Sequence, residues 1–455
     1  MRRAAHRLSR AWWALGVGIA LVAVVCGGLV LRPRGEGAAR LGADTDPRAA
    51  VAGGAAPAAA AAGRDALGAA IVRLQQRLSS SPRDPSGWAT LGVYYVQQAK
   101  NSVNPMYYPK AAGALRRSLR IGGADNFVAM VGMADLRAAQ HRFRDALRWA
   151  RAAIRVDPES AAAYGALDDA LTQLGRYTDA ARATQRMADL QPGSPSFARA
   201  SYVLELRGDV AGARRQMRRA LDDAPTPSDR AFAAYYLGEL AWNAGDARAA
   251  LRWQRAAARI DPTYPDPLEG AAKAEAALGM RAAAVRDFAS VVARVPQPGY
   301  VIEAGEYLQS IGRRAAAQRM YRLFDAENRL FESNGVRLDA DPTLFYADHG
   351  RPRLALRYGR AGIAARPFVE MADAYAWALH ANARDAEALR WSRIARRTGM
   401  RNALFAYHAG VIEHALGDDA LARRDLATAL RVNPYFSPLQ APAARRLLTS
   451  IGGRP

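Results

Sequence analysis

Proline and glycine punctuate this chain at one fixed interval, and that interval constrains its fold more than any other feature of its 455 residues. Prolines recur at Pro158, Pro192, Pro225, Pro262 and Pro296, in steps of about 34 residues. Pro367 and Pro434 continue the series at roughly two-step intervals. Each proline follows an Ala-rich stretch by a few residues, as in Asp157-Pro158 and Asp261-Pro262. Glycines mark the middle of the units at Gly175, Gly208, Gly245, Gly279, Gly312, Gly350 and Gly417. A small residue follows each at a constant offset: Ala180, Ala213, Ala250, Ala284, Ala317, Ala355 and Ala422. Physically the set reads as one device. The glycine supplies the left-handed turn between two antiparallel helices. The alanine lets the second helix approach the first, and the proline ends that helix and opens the next unit.

Composition agrees with helices. Half of the residues are apolar, and Ala, Leu and Arg, which give up little side-chain freedom in a helix, dominate over alternating Val/Ile runs. The expected fold is all-α: a right-handed superhelical solenoid of about ten helix hairpins.

Within that frame the sequence resembles the tetratricopeptide-repeat (TPR) family. The family's first-helix signature stands as Trp88-x-x-Leu91-Gly92-x-x-Tyr95. Leu237-Gly238 repeats part of it, and Tyr164 and Leu167 take the equivalent aromatic and leucine places. The second-helix pattern appears as Ala284, Phe288 and Val291, and again as Ala213, Met217 and Ala220. The register runs from about Ser86 to Pro434, with departures. Residues Asn101 to Pro109 form an insertion, His141 stands where a glycine is expected, and spacing fails between Asp325 and Pro342, where a second helix runs on to Asn334-Gly335. We divide the array into 86–335 and a more divergent 336–434. A capping helix is expected at 65–85 and another at 435–455, since a solenoid must cover both ends.

The N-terminus reads as an address. A basic head, 1–10, precedes an uncharged stretch at 11–31 that arginines close; about 20 apolar residues suffice to span a hydrocarbon core. Three readings stay open: an uncleaved signal anchor, a signal peptide cleaved near Gly27 and Gly28, and lipidation at Cys26, the only cysteine. A bacterial inner-membrane protein with its repeats in the periplasm is expected, or a periplasmic protein after cleavage. Residues 32–64, rich in Ala, Gly and Pro, read as a flexible tether.

The resemblance implies a non-catalytic scaffold that binds a protein or peptide partner in the concave face lined by first helices. The alternative is a non-catalytic binding subunit of an envelope enzyme or an export or assembly system. Helical spacing assigns to that groove Tyr202, Glu205, Tyr235, Glu239, Trp242, Glu269, Lys273, Glu306, Gln309, Asp373, Trp377, His380, Tyr407 and His414. Glutamates among aromatic rings suit a partner with basic segments, through charge-assisted hydrogen bonds and cation–π contact; solvated glutamates paired with nearby arginines are the plainer alternative. The carboxylate clamp that some TPR domains use on the acidic tails of heat-shock chaperones needs Lys, Asn and Arg at groove positions; Lys273 is the only lysine placed there, which disfavours that partner class.

The net charge of +22 invites nucleic acid, but phosphate recognition needs clustered charge and the arginines are spread along the chain. No nucleic-acid partner is expected; weak attraction to anionic lipid headgroups fits better. His380, His414 and Asp348-His349 lack close ligand spacing, so turn or groove histidines are expected rather than a metal site. No cofactor, phosphate loop or catalytic set is read.

Overall fold

The computed structural model describes residues 55–336 and 339–454. Among the described residues the chain forms twenty-two α-helices, one 3-10 turn and no strand. The first helix, α1 (Ala55–Ser80), caps one end. Ten hairpins follow. They are α2 (Pro85–Ser102) with α3 (Tyr107–Gly122), α4 (Phe127–Ala139) with α5 (Phe143–Val156), and α6 (Ala161–Gln173) with α7 (Tyr177–Leu190). Next come α8 (Ser194–Leu206) with α9 (Val210–Asp222), α10 (Pro227–Asn243) with α11 (Ala247–Ile260), and α12 (Asp266–Ala277) with α13 (Arg281–Arg294). The series continues with α14 (Pro298–Ser310) and α15 (Arg314–Ser333), α16 (Ala340–Asp348) and α17 (Pro352–Ala365), and α18 (Val369–His380) and α19 (Asp385–Ala395). It ends with α20 (Ala403–Ala415) and α21 (Asp419–Val432), capped by α22 (Gln440–Ser450).

The punctuation works as its chemistry demands. All seven mid-unit glycines hold positive φ, from 68° at Gly175 to 83° at Gly417, and His141 at 55° takes the same role. The seven following alanines are at most 1 % exposed, so each second helix lies close against its first. The second helices bury one face only: α11 sends Ala247, Ala250, Leu251, Gln254 and Ala257 inward. First helices are buried nearly all round, as in α18. Helix starts are capped where the backbone needs acceptors, by Asp84, Ser160, Asp209 and Asp246.

Two expectations change. The capping helix begins at Ala55, inside the stretch read as tether to 64, because the alanine run is itself a strong helix former. The basic head 1–10, the candidate span 11–31 and the remainder of the tether lie outside the described residues; among those described, no helix is long and apolar enough to cross a membrane. More consequential is the concave face assigned to a partner, which does not stand open along its length. After about six hairpins the superhelix meets itself, and the two turns are bonded together. Arg144 Nη2 donates to Ala364 O (2.9 Å), Arg366 Nη1 to Gln173 Oε1 (2.6 Å), Arg397 Nη2 to Gly175 O (3.1 Å) and Asn433 Nδ2 to Trp242 O (2.8 Å). The Val369 amide donates to Tyr177 Oη (2.8 Å), and Tyr202 Oη to Glu370 Oε1 (3.0 Å). An apolar seam of Leu206, Val369, Ala372, Ala395 and Phe405 backs these bonds. The long α15 belongs to the same closure: Phe331, near its end, and Val336, just beyond it, are buried with α1, α2 and α3 at the first hairpin. The broken spacing near 325–342 therefore marks where the array reaches back to its own start.

Candidate functional site

Closure turns the concave face into a cavity of about 640 Å³. One wall comes from first helices: Glu239, Trp242 and Asn243 on α10, Lys273 on α12, Glu303, Glu306 and Tyr307 on α14, and Leu344 and Asp348 on α16. The facing wall comes from across the turn, with Arg401, Leu404 and His408 around α20, Asn433 to Ser437, and Arg445 on α22.

At the centre of the first wall Lys273 is gripped by three carboxylates. Its Nζ lies 3.0 Å from Glu269, 3.3 Å from Glu239 and 3.9 Å from Glu303. It also sits 5.8 Å from the Trp242 ring centroid. Burial alone would depress this ammonium, but the three carboxylates hold it well above its ordinary value. Burial raises Glu239 and Glu269 in turn; Glu303 pushes Glu269 further, against the pull of Lys273. Gln254, fully buried on α11, donates to Glu239 Oε1 at 2.7 Å and fixes its orientation. Behind the cage, Asp266 is pushed up to about 7 by burial although Tyr300 Oη donates a hydrogen bond to it.

Two further acids line the cavity beyond the cage. Glu306 Oε1 is 3.5 Å from His349 Nε2. Asp348 accepts from Trp377 Nε1 (2.8 Å) and Gln440 Nε2 (2.9 Å), and enclosure together with Glu306 raises it to about 6. Trp377 is stacked on His408 at 4.1 Å, and His408 Nδ1 lies 2.8 Å from Asp373 Oδ2.

Of the groove residues read from sequence, Glu239, Trp242, Lys273 and Glu306 line the cavity. The others serve elsewhere. Tyr202 is part of the closure; Glu205 accepts from Asn243 (3.0 Å) in a small void beside Arg401 and Val432. Burial pushes Glu205 up to about 7. Tyr235 packs edge-on against Tyr236 and Tyr264. Glu269 lies behind Lys273, almost wholly buried. Gln309 accepts from Tyr321 Oη (2.9 Å) at an exposed hairpin end. Asp373, Trp377 and Tyr407 are core residues of the last two units. His380 and His414 each pair with the start of the following helix, with Asp385 (2.5 Å) and Asp419 (2.6 Å), so their matching positions reflect a repeated hairpin contact. Sequence reading missed Glu303, His408, Arg401 and Arg445, and weighed Asp348 only as a metal ligand. Glu303 was within reach, being one repeat beyond Glu269; Arg401 and Arg445 face the site only because the turns meet.

Charge is sorted by helix. The first helices of the ten hairpins carry 16 acidic and 5 basic residues, a net of −11; the second helices carry 12 acidic and 33 basic, a net of +21. The concave side is acidic and the convex side basic.

The tetratricopeptide-repeat family model matches residues 131–195 and 201–265. Among solved structures, the chain is similar to one from the APC/C hetero-tetramer Cut9–Hcn1, at 11 % identity and a TM-score of 0.38, over 86 % of this chain and 94 % of that one. It is also similar to a tetratricopeptide repeat protein from Parabacteroides merdae, at 16 % identity and a TM-score of 0.33, over 57 % of this chain and 98 % of that one. Neither likeness is close enough to transfer a partner or an activity. No curated protein matches the sequence. The matched stretches, together with a hairpin period of about 34 residues, mean that this chain carries tetratricopeptide repeats in an all-α helical-repeat solenoid.

Proposed function

We propose that the protein is a non-catalytic scaffold, held at a membrane by the uncharged segment at 11–31, whose closed superhelix binds a short basic segment of a partner polypeptide between its turns. Tetratricopeptide repeats typically mediate protein–protein interaction. The observation that carries the present reading is the cavity itself. Its volume is that of a specific ligand pocket, most of which span roughly 300–1,000 Å³. Its first-helix wall offers Glu306 and Asp348 beside Trp242 and Tyr307. A guest arginine or lysine would meet carboxylates and ring faces together, where charge-assisted hydrogen bonds are strongest. Lys273 already neutralises part of the buried acid at Glu239 and Glu269, so the guest's partners are the two acids further along. Arg401 and Arg445 on the facing wall suit backbone carbonyls or a carboxylate of the same guest.

The test is fluorescence anisotropy of dye-labelled six-residue peptides against the full chain, comparing a central arginine with glutamate and with citrulline. Glu306→Gln combined with Asp348→Asn should weaken the arginine peptide by roughly 10–100-fold, the equivalent of losing one charged hydrogen bond of about 1.5–3 kcal/mol. Helicity by circular dichroism should be unchanged. Equal binding of all three peptides, or no loss in the double variant, refutes the reading.

A further inference from the structure

The convex face poses a separate question, because its charge is not spent within the protein. On α9, Arg215, Arg218 and Arg219 are exposed; on α11, Arg248, Arg252 and Arg259 are exposed. None of the six ion-pairs with a carboxylate of the described residues, whereas their neighbour Arg255 pairs with Glu275 at 2.9 Å. A few arginines elsewhere on the outer face are answered locally, as Arg148 is by Asp145 and Arg182 by Asp179. Along α11 the spacing of four, three and four residues from Arg248 through Arg252 and Arg255 to Arg259 lines the arginines up on one side of the helix. The opposite side carries the buried alanines, Leu251 and Gln254. Both helices pack on α10, so the two stripes are neighbours on the outside of adjacent hairpins.

We infer that this arginine face is a docking surface for an anionic lipid bilayer. Uncompensated like charge on one face is a cost to the fold unless an anionic partner meets it. Two polyanions could, and the surface discriminates between them. Single-stranded nucleic acid is held in a basic groove with aromatic rings for the bases, and duplex sequence is read by an element that enters a groove. This face is convex; beside it Phe197 is already covered by Arg219 at 4.1 Å, and Trp253 on α11 is packed against the core around α10. No exposed large apolar residue lies on α9 or α11, so nothing here would insert as a wedge. What remains is a broad, shallow, purely electrostatic contact, which is how basic residues engage anionic headgroups. The uncharged segment at 11–31, with its tether, would keep the face within reach of such a surface.

The experiment reads contact of this face directly and does not depend on how the chain is otherwise retained. Exposed Ala211, one turn before Arg215 on the same side of α9, is changed to cysteine in the full-length Cys26→Ser chain and labelled with a fluorophore. The protein is mixed with vesicles of phosphatidylcholine alone, or with about 30 % phosphatidylglycerol, both carrying a headgroup quencher; this proportion sets an anionic surface potential. Quenching is expected with the anionic vesicles only, and is expected to fade as salt screens the contact. Replacing Arg215, Arg218, Arg248 and Arg252 by glutamine should weaken the contact of this face roughly a thousandfold, so that quenching falls to the level seen with neutral vesicles even where the segment at 11–31 keeps the chain on the bilayer. The same four positions as lysine should bind within a few-fold of the parent. Equal quenching by neutral vesicles, or none by anionic ones, overturns the inference. So does a 20-base-pair DNA duplex that displaces the label from anionic vesicles at lower concentration than free lipid, which would give the face to nucleic acid.

Discussion

Closure of the superhelix can be tested by comparing two glycines that are alike in backbone and different in surroundings. Gly208 and Gly312 both occupy the hairpin turn, at φ of 78° and 81°. An alanine at either would bear the same left-handed penalty, about 1–2 kcal/mol. A Cβ on Gly312 would meet open space, whereas on Gly208 it would lie 2.5 Å from the carbonyl oxygen of Gly399, in the other turn of the superhelix. That contact is with backbone and cannot be relieved by a rotamer change, so the two turns must separate locally. Overpacking of this kind costs about 1–3 kcal/mol further. The six cross-turn hydrogen bonds together contribute on the order of 3–9 kcal/mol at about 0.5–1.5 kcal/mol each, so the added strain should loosen the seam rather than open the ring.

The expected outcome is therefore specific. Gly312→Ala should lower the thermal midpoint slightly and leave hydrogen exchange at the seam unchanged. Gly208→Ala should lower it more and accelerate amide exchange in residues 366–370 and 397–402, far away in sequence. Gly175→Ala, whose Cβ would lie 2.4 Å from Pro367 O, should behave like Gly208→Ala. If Gly208→Ala and Gly312→Ala match in both midpoint and exchange, the turns do not touch and the cavity does not exist.

Three further outcomes follow from the buried charges. Lys273→Met strands three carboxylates and should cost about 3–5 kcal/mol at pH 8. The loss should shrink as pH falls, because burial raises Glu239 and Glu269 and their protonated forms no longer repel; urea melts at pH 8 and pH 5 check this. In the parent protein, Glu205, Asp266, Asp341 and Glu370 are all raised to about 7, chiefly by burial. Groups raised in the folded state contribute stability that is full below their unfolded values of about 4 and is lost as pH rises through about 7. The thermal midpoint should thus fall between pH 5 and pH 8, and a midpoint rising over that window would contradict the assignment. Tyr202→Phe leaves Glu370 without its donor across the seam and should cost about 1–3 kcal/mol, with the exchange signature of the glycine variants; a change confined to α8 would show that the bond does not join the turns.

The hairpins were legible because each rests on local chemistry. A left-handed turn needs glycine, a close helix approach needs alanine, and a helix end tolerates proline, so residues such as Gly245, Ala250 and Pro262 announce a unit without reference to any other. Ala383 shows the limit: it adopts φ 55° in the turn between α18 and α19 where no glycine marks the place. The cavity was only half legible. Glu239, Lys273 and Glu306 repeat with the first helices, so helical phase finds them. Arg401, Asn433 and Arg445 face them because separate turns meet, and no local pattern records how many hairpins complete a turn. His380 and His414 misled for a related reason: repetition marks a shared position in the unit, and that position was the hairpin junction.

The arginines show how a repeat alters the meaning of a charge distribution. Along the chain they look evenly scattered, and for a globular fold even scatter means no patch. In a solenoid, residues one period apart occupy equivalent positions on successive hairpins, so even scatter at constant phase becomes a continuous face. The same rule carries the acids inward, since their phase is that of the first helices. One consequence is that the two recognition surfaces are built from different helices and share no side chain. Glutamine in place of Arg215, Arg218, Arg248 and Arg252 should leave affinity for the arginine peptide within a few-fold, and Glu306→Gln with Asp348→Asn should leave lipid quenching unmoved. Cross-effects in either direction would mean that one continuous surface does both jobs, and the sorting of charge by helix would then have no functional content.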